Sequence, residues 1–170
     1  VAAQFAVSVA ESGSGLRTLL VDGNLKNPNL HELLDLQLDP GLTEVCNDGV
    51  PVKQAIQATE LYDLDVLTVG SFANQGAHYL NSLRYLELIQ ELKEGYDLVV
   101  IDCPPLAAGH GSTHLSKGEA LTALVVEASQ TNREVIEGAL HELQLVGADV
   151  VGMVLNRRQF FIPNFVYQRL

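Results

Sequence analysis

Five short, mainly apolar runs constrain what this chain can fold into: LRTLLVD at 16–22, DLDVLTV at 63–69, DLVVID at 97–102, LTALVV at 121–126 and DVVGMVL at 149–155. They read as continuous rather than alternating, the pattern of strands covered on both faces. Covering both faces takes helices, and helical stripes fill the intervals. Tyr85, Leu88, Ile89 and Leu92 fall at i, i+3, i+4 and i+7. Val135, Ile136, Ala139, Leu140, Leu143 and Val146 make a similar stripe, which Gly147 stops. Residues 1–11 read as a further helix, ended by Ser12-Gly13-Ser14-Gly15. Alternating strand and helix predict an α/β fold, a doubly wound and mostly parallel sheet with helices on both faces. No internal repeat or long linker divides the 170 residues, so one domain over 1–170 is expected.

Composition excludes some partners. The longest apolar stretches are far short of the roughly 20 residues that cross a bilayer as a helix. A formal net charge of −11, from 21 acidic and 10 basic residues, argues against nucleic acid, whose phosphates attract a basic surface. Two cysteines, Cys46 and Cys103, make no disulfide framework in a chain this long and fit a reducing compartment.

In a doubly wound sheet, ligands collect at the carboxyl ends of the strands. Three polar stretches stand at such ends. Asp22 closes the first run and leads into Gly23-Asn24-Leu25-Lys26-Asn27-Pro28. Asp102 closes the third, and Pro104-Pro105 prevents the strand from continuing. Asn156 closes the last, followed by Arg157 and Arg158. A strand-end carboxylate serves equally to accept a turn N–H or to hold hydrated magnesium beside phosphates. Two of them in one chain favour a site. Lys26 places a charge near phosphates or simply meets solvent. Asn156 offers a donor and an acceptor to an adenine edge or caps a turn.

The motifs resemble, in order, those of the bacterial tyrosine kinases that regulate capsule and exopolysaccharide synthesis, within the deviant P-loop (ParA/MinD-like) ATPases. VAAQFAVSVAESG resembles the helix after the phosphate-binding loop. LLVDGNLKNPNLHELLDL and PGLTEVCNDGV are similar to the second Walker-type segment and the short helix beyond it. NQGAHYLNSLRYLELIQELKEGYDLVVIDCPP resembles the helix and Walker B strand, and VVGMVLNRRQFFIP the strand whose asparagine faces the base. The resemblance implies ATP and Mg2+ as cofactors, with Asp102 and Asp22 at the metal. It carries catalytic positions onto Asp22, Asn24 and Lys26, and nucleotide contacts onto Asn156 and Arg157. As partners it implies a transmembrane polysaccharide co-polymerase and further copies of the kinase, at the cytoplasmic face of the membrane.

This sequence also departs from the family. Where the family has Asp-x-Asp-x-Arg-x-Pro, it carries Asn24 and Lys26 in place of the second acid and the arginine. Asn24 cannot act as a base, and lysine exchanges a planar fork for a point charge. Gly109-His110-Gly111-Ser112 stands where an acid is usual after the Walker B prolines. No Gly-x-x-x-x-Gly-Lys-Ser/Thr loop is present, and the expectation is that it and its strand lie upstream of Val1. Tyr167 is alone in the tail FFIPNFVYQRL, while Tyr62, Tyr79, Tyr85, Tyr96 and Cys103 are expected to pack. Three functions follow: a tyrosine (auto)kinase domain controlling polysaccharide polymerisation and export, a degenerate nucleotide-binding scaffold of the export machinery, or a ParA/MinD-type partitioning ATPase.

Overall fold

The computed structural model describes residues 1–71, 83–106 and 120–158. His110, Tyr79, Tyr167 and the tail lie outside the described residues. The chain divides into two compact units, Val1–Leu115 and Ser116–Leu170, each with its own sheet.

In the first unit the elements run α1 (Ala2–Glu11), β1 (Thr18–Asp22), α2 (Leu30–Leu33), α3 (Leu42–Asn47), α4 (Val52–Ala55), β2 (Ile56–Ala58), β3 (Leu64–Leu67), α5 (Leu83–Gly95) and β4 (Leu98–Asp102). The strand order is β2-β3-β1-β4. β1 runs parallel to both neighbours, with Thr18 beside Leu64 on one side and Leu98 on the other. Its five residues are all buried, as the unbroken apolar run predicts. Successive side chains point to opposite faces. Leu19 and Val21 join Leu67, Val45, Val52, Tyr85, Leu88 and Leu92 in one core, under α3, α4 and α5. Leu20 joins Ala3, Ala6, Leu30, Leu64 and Val66 in the other, under α1 and α2. Helices therefore cover both faces, and the α5 stripe is the one its spacing predicts.

β2 has no counterpart among the apolar runs. It is three residues long and pairs antiparallel to β3, Ile56 opposite Leu67. Gln57 fastens this edge: its Oε1 accepts from the Gln37 N–H at 2.9 Å and its Nε2 donates to the Gln37 carbonyl at 2.8 Å. At the opposite end of the sheet from Asp22, the Tyr96 hydroxyl donates to Asp65 at 2.7 Å, and the Arg17 guanidinium lies 5.9 Å from the Tyr96 ring centre.

Two packing expectations are corrected. Tyr62 sits in the turn before β3 with its side chain fully in solvent, because the sharp Glu60–Asp63 turn points it away from both cores. Cys103 is an exposed residue, since the chain leaves the sheet immediately after Asp102; its thiol turns back toward the Ile101 carbonyl at 3.7 Å.

A buried carboxylate locks the exit of β3. Glu44 accepts from the N–H of Gly41 at 2.7 Å, the hydroxyl of Thr43 at 2.9 Å and the N–H of Ser71 at 2.8 Å. Gly70 passes over it with φ +92°, where a Cβ would meet the Glu44 carboxylate and the Thr43 hydroxyl.

The second unit contains β5 (Leu121–Glu127), α6 (Arg133–Leu145) and β6 (Asp149–Asn156). β5 and β6 are parallel, running from Leu121 beside Asp149 to Glu127 beside Asn156, with an irregularity at Thr122/Ala123. The Asn132 side chain caps α6 by accepting from the Val135 N–H at 3.2 Å, and Gly147, at φ +75°, ends it as expected.

Gly70→Ala therefore combines backbone strain with a collision against a charged, fully bonded side chain. It should lower unfolding free energy by about 3 kcal/mol, read as a lower urea midpoint with unchanged slope.

Candidate nucleotide and metal site

The two acidic strand ends meet. β1 and β4 are hydrogen-bonded neighbours whose register runs Val21 beside Ile101 and then Asp22 beside Asp102. Neighbouring strands lie about 4.8 Å apart, so both residues stand on one rim of the sheet. The ladder extends one step further, with the Gly23 N–H donating to the Asp102 carbonyl at 2.9 Å.

Asp22 is wholly buried, and both its oxygens are engaged. Oδ1 accepts from the Asn24 N–H at 3.1 Å and Oδ2 from the Leu30 N–H at 3.3 Å. The carboxylate thus ties down both ends of the 24–30 loop. Burial pushes its pKa up and the Asp102 charge adds to that, while the backbone N–H groups of Asn24, Leu30 and Asn29 pull it back. Asp102 is half-buried and is also raised by desolvation.

Within the loop, Leu25 anchors in the core and Asn24 is half-buried. The Asn24 Oδ1 accepts from the Asn27 N–H at 3.3 Å, an Asx-type turn that uses its side-chain oxygen locally. Lys26 is exposed. Among the described residues no group of three or more His, Cys, Asp or Glu side chains is poised for a metal. Two carboxylates alone suit magnesium, which retains water and takes its remaining ligands from phosphates. The Cys103 thiol, turned back toward the Ile101 carbonyl, is pushed up by desolvation and by the Asp102 charge although the residue as a whole is exposed.

In the second unit Asn156 ends β6, and its carbonyl accepts from the Ala128 N–H at 2.8 Å. Arg157 follows with φ +54°, and its Nη1 lies 3.0 Å from Oε1 of Glu127. Its guanidinium is paired across the strands. Glu44 and Glu127 escaped the sequence reading. Glu44 does stand three residues after Gly41, the spacing of a capping box, and that signal was available; the Glu127 partnership has no local signal.

A parallel α/β sheet with paired acids on its carboxyl rim defines a P-loop ATPase type of fold, and the MinD septum site-determining protein of Pyrococcus horikoshii OT3 shares it (TM-score 0.72, 24% identity, over 99% of this chain and 69% of that one). In sequence the chain is similar to the tyrosine-protein kinase YwqD of Bacillus subtilis strain 168, 31% identical over 158 residues, 93% of this chain and 66% of that one. It is also similar to the structure of the chimerical protein CapA2B2, at 30% identity and TM-score 0.85, over 94% of this chain and 70% of that one. The chain belongs to the bacterial tyrosine-kinase family of capsule and exopolysaccharide biosynthesis. No family model matches it. It spans 66% of the length of YwqD and 20% of the tyrosine-protein kinase ptk of Acinetobacter johnsonii, with which it is 28% identical over 84% of this chain. No helix of the described residues is long and apolar enough to cross a membrane.

A carboxyl whose pKa rises on folding contributes stability that is complete below its unfolded value of 3.8 and is lost as pH climbs through the folded value. Asp102→Asn removes that loss. Without metal or nucleotide, the variant should melt higher than the parent at pH 7, and the difference should close near pH 3; thermal unfolding at the two pH values measures it.

Proposed function

We propose that this chain is the ATP-dependent tyrosine (auto)kinase domain, over 1–170, of a protein that regulates capsule or exopolysaccharide polymerisation and export. One observation carries the reading: Asp22 and Asp102 stand side by side on the carboxyl rim of a parallel sheet, both with raised pKa. Magnesium bound there with ATP would neutralise charge on the transferring phosphoryl group. Asp102, the more exposed of the two, would hold the hydrated metal. Asp22 keeps the 24–30 loop folded against it and supplies the second negative charge. That loop presents Lys26 toward solvent, as a point charge for phosphate. By resemblance to the family alone, Asn156 and Arg157 are proposed as nucleotide contacts. Phosphoryl transfer asks the protein for positioning and charge more than for covalent chemistry, and these residues offer both.

The names of the relatives support a role in surface polysaccharide assembly. A transmembrane polysaccharide co-polymerase as partner, further copies of the kinase and a place at the cytoplasmic face of the membrane belong to the same proposal.

Asn24 favours a second reading, a nucleotide-binding scaffold that transfers no phosphate. It lacks the charge of the family's second acid, and its oxygen is engaged by Asn27. Full-length protein with ATP and Mg2+, followed by intact mass and phosphotyrosine blotting, separates the two. The kinase gains phosphate in steps; the scaffold binds ATP without labelling, and Asn24→Asp with Lys26→Arg would then restore labelling. Asp102→Ala should weaken Mg2+-dependent ATP binding by at least about tenfold while circular dichroism is unchanged. Equal affinity in calorimetry would remove Asp102 from the metal.

A further inference from the structure

Tyr62 stands wholly in water, on the turn between β2 and β3. An aromatic ring left there adds no burial energy to the fold. The turn beneath it is nonetheless firmly built. The Thr59 hydroxyl donates to the Leu64 carbonyl at 2.8 Å and accepts from the Leu61 N–H at 3.1 Å. The Leu64 N–H donates to the Leu61 carbonyl at 3.2 Å, and the Thr18 N–H donates to the Asp63 carbonyl at 2.8 Å, which ties the turn to the start of β1. Leu61 and Leu64 pack into the core on the α1 side. Both leucines are held, and the phenol between them projects into solvent.

A phosphoryl acceptor needs a hydroxyl that can enter an active site without first giving up a contact. The described tyrosines differ in this respect. Tyr85 is buried in the core under α5, and the Tyr96 hydroxyl donates to Asp65 at 2.7 Å. Of these three, Tyr62 presents its hydroxyl with nothing to break.

The place of the turn decides which copy of the acidic rim can meet it. Leu64, the first residue of β3, lies beside Thr18, the first residue of β1, and the two strands are parallel. Asp22 and Asp102 end their strands at the other edge of the sheet. At about 3.3 Å per residue, the length of β1 puts roughly 13 Å between the turn and the rim. Because Thr59 and Thr18 hold the turn, it cannot swing across that distance. The phenol and the rim of one molecule therefore never meet, whereas the rim of a second copy can receive it.

We propose that Tyr62 is a phosphorylation site of this chain, modified by a second copy of the kinase. The inference rests on the tyrosine-kinase activity proposed above. In the step, the phenolic oxygen of Tyr62 bonds to the γ-phosphorus of ATP as the bond from that phosphorus to the β–γ bridging oxygen breaks. ADP leaves, and the phenolic proton passes to water.

A mixing experiment with full-length protein tests it. Asp102→Ala protein, labelled with heavy nitrogen, is incubated with unlabelled Tyr62→Phe protein, ATP and Mg2+. Only the heavy chain then carries Tyr62, and only the light chain carries both rim acids. Peptide mass spectrometry should find phosphate on Tyr62 of the heavy chain, and that phosphate should be lost when the light chain is left out. Tyr62→Phe should keep the melting temperature of the parent, since the ring packs against nothing. Phosphate on other tyrosines, with Tyr62 unmodified, overturns the proposal and leaves the kinase reading standing. Equal phosphate on Tyr62 of the heavy chain with and without the light chain also overturns it, because the intact copy is then not the donor. A parent protein that gains no phosphotyrosine at all overturns both readings.

Discussion

Placing a charge at the end of a strand buried on both faces is the constraint from which the rest of the first unit follows. The β1 strand has helices over each face and a parallel strand on each side, so Asp22 leaves it without contact with water. A buried carboxylate is tolerated only when its oxygens are answered. The answer comes from the chain that follows: N–H groups at both ends of the 24–30 loop converge on it. The loop's shape is therefore dictated by the solvation needs of one side chain. Asp102 beside it adds repulsion.

Much of the fold was legible in the sequence because apolar runs leave a strong local record. The expectation that every such strand is covered on both faces holds for β1 and not for β5 and β6, most of whose residues are partly or fully exposed. Five mainly apolar runs became five strands, and the stripes through Leu88 and Leu143 became helices with those residues buried. The β2 strand was invisible for the converse reason. Its three residues include a polar Gln57, whose contribution is made by its side chain against residue 37, twenty positions away. Turn residues were legible where geometry required glycine, as at Gly147, and illegible at Ser129 and Arg157, where a side chain is held in a conformation it does not favour.

The candidate site was legible in outline. That Asp22 and Asp102 share a rim follows from two acid-terminated strands in a parallel sheet, and the register bears it out. How Asp22 spends its oxygens did not follow, since it depends on the path of a loop whose residues carry no apolar pattern. The bond from the Ser71 N–H to Glu44 at the exit of β3 and the Glu127–Arg157 pair share this property. Each is a polar contact fixed by three-dimensional path, and a single sequence records composition there but not pairing.

The tyrosines give the molecule an optical character. With no tryptophan in the chain, its intrinsic emission comes from phenols alone. Of the described ones, Tyr62 already emits as it would in free peptide, whereas the Tyr96 hydroxyl is committed to the carboxylate of Asp65, an acceptor that quenches by taking the excited-state proton. Losing that contact would brighten Tyr96, whose emission therefore reports on the end of the sheet opposite the acidic rim.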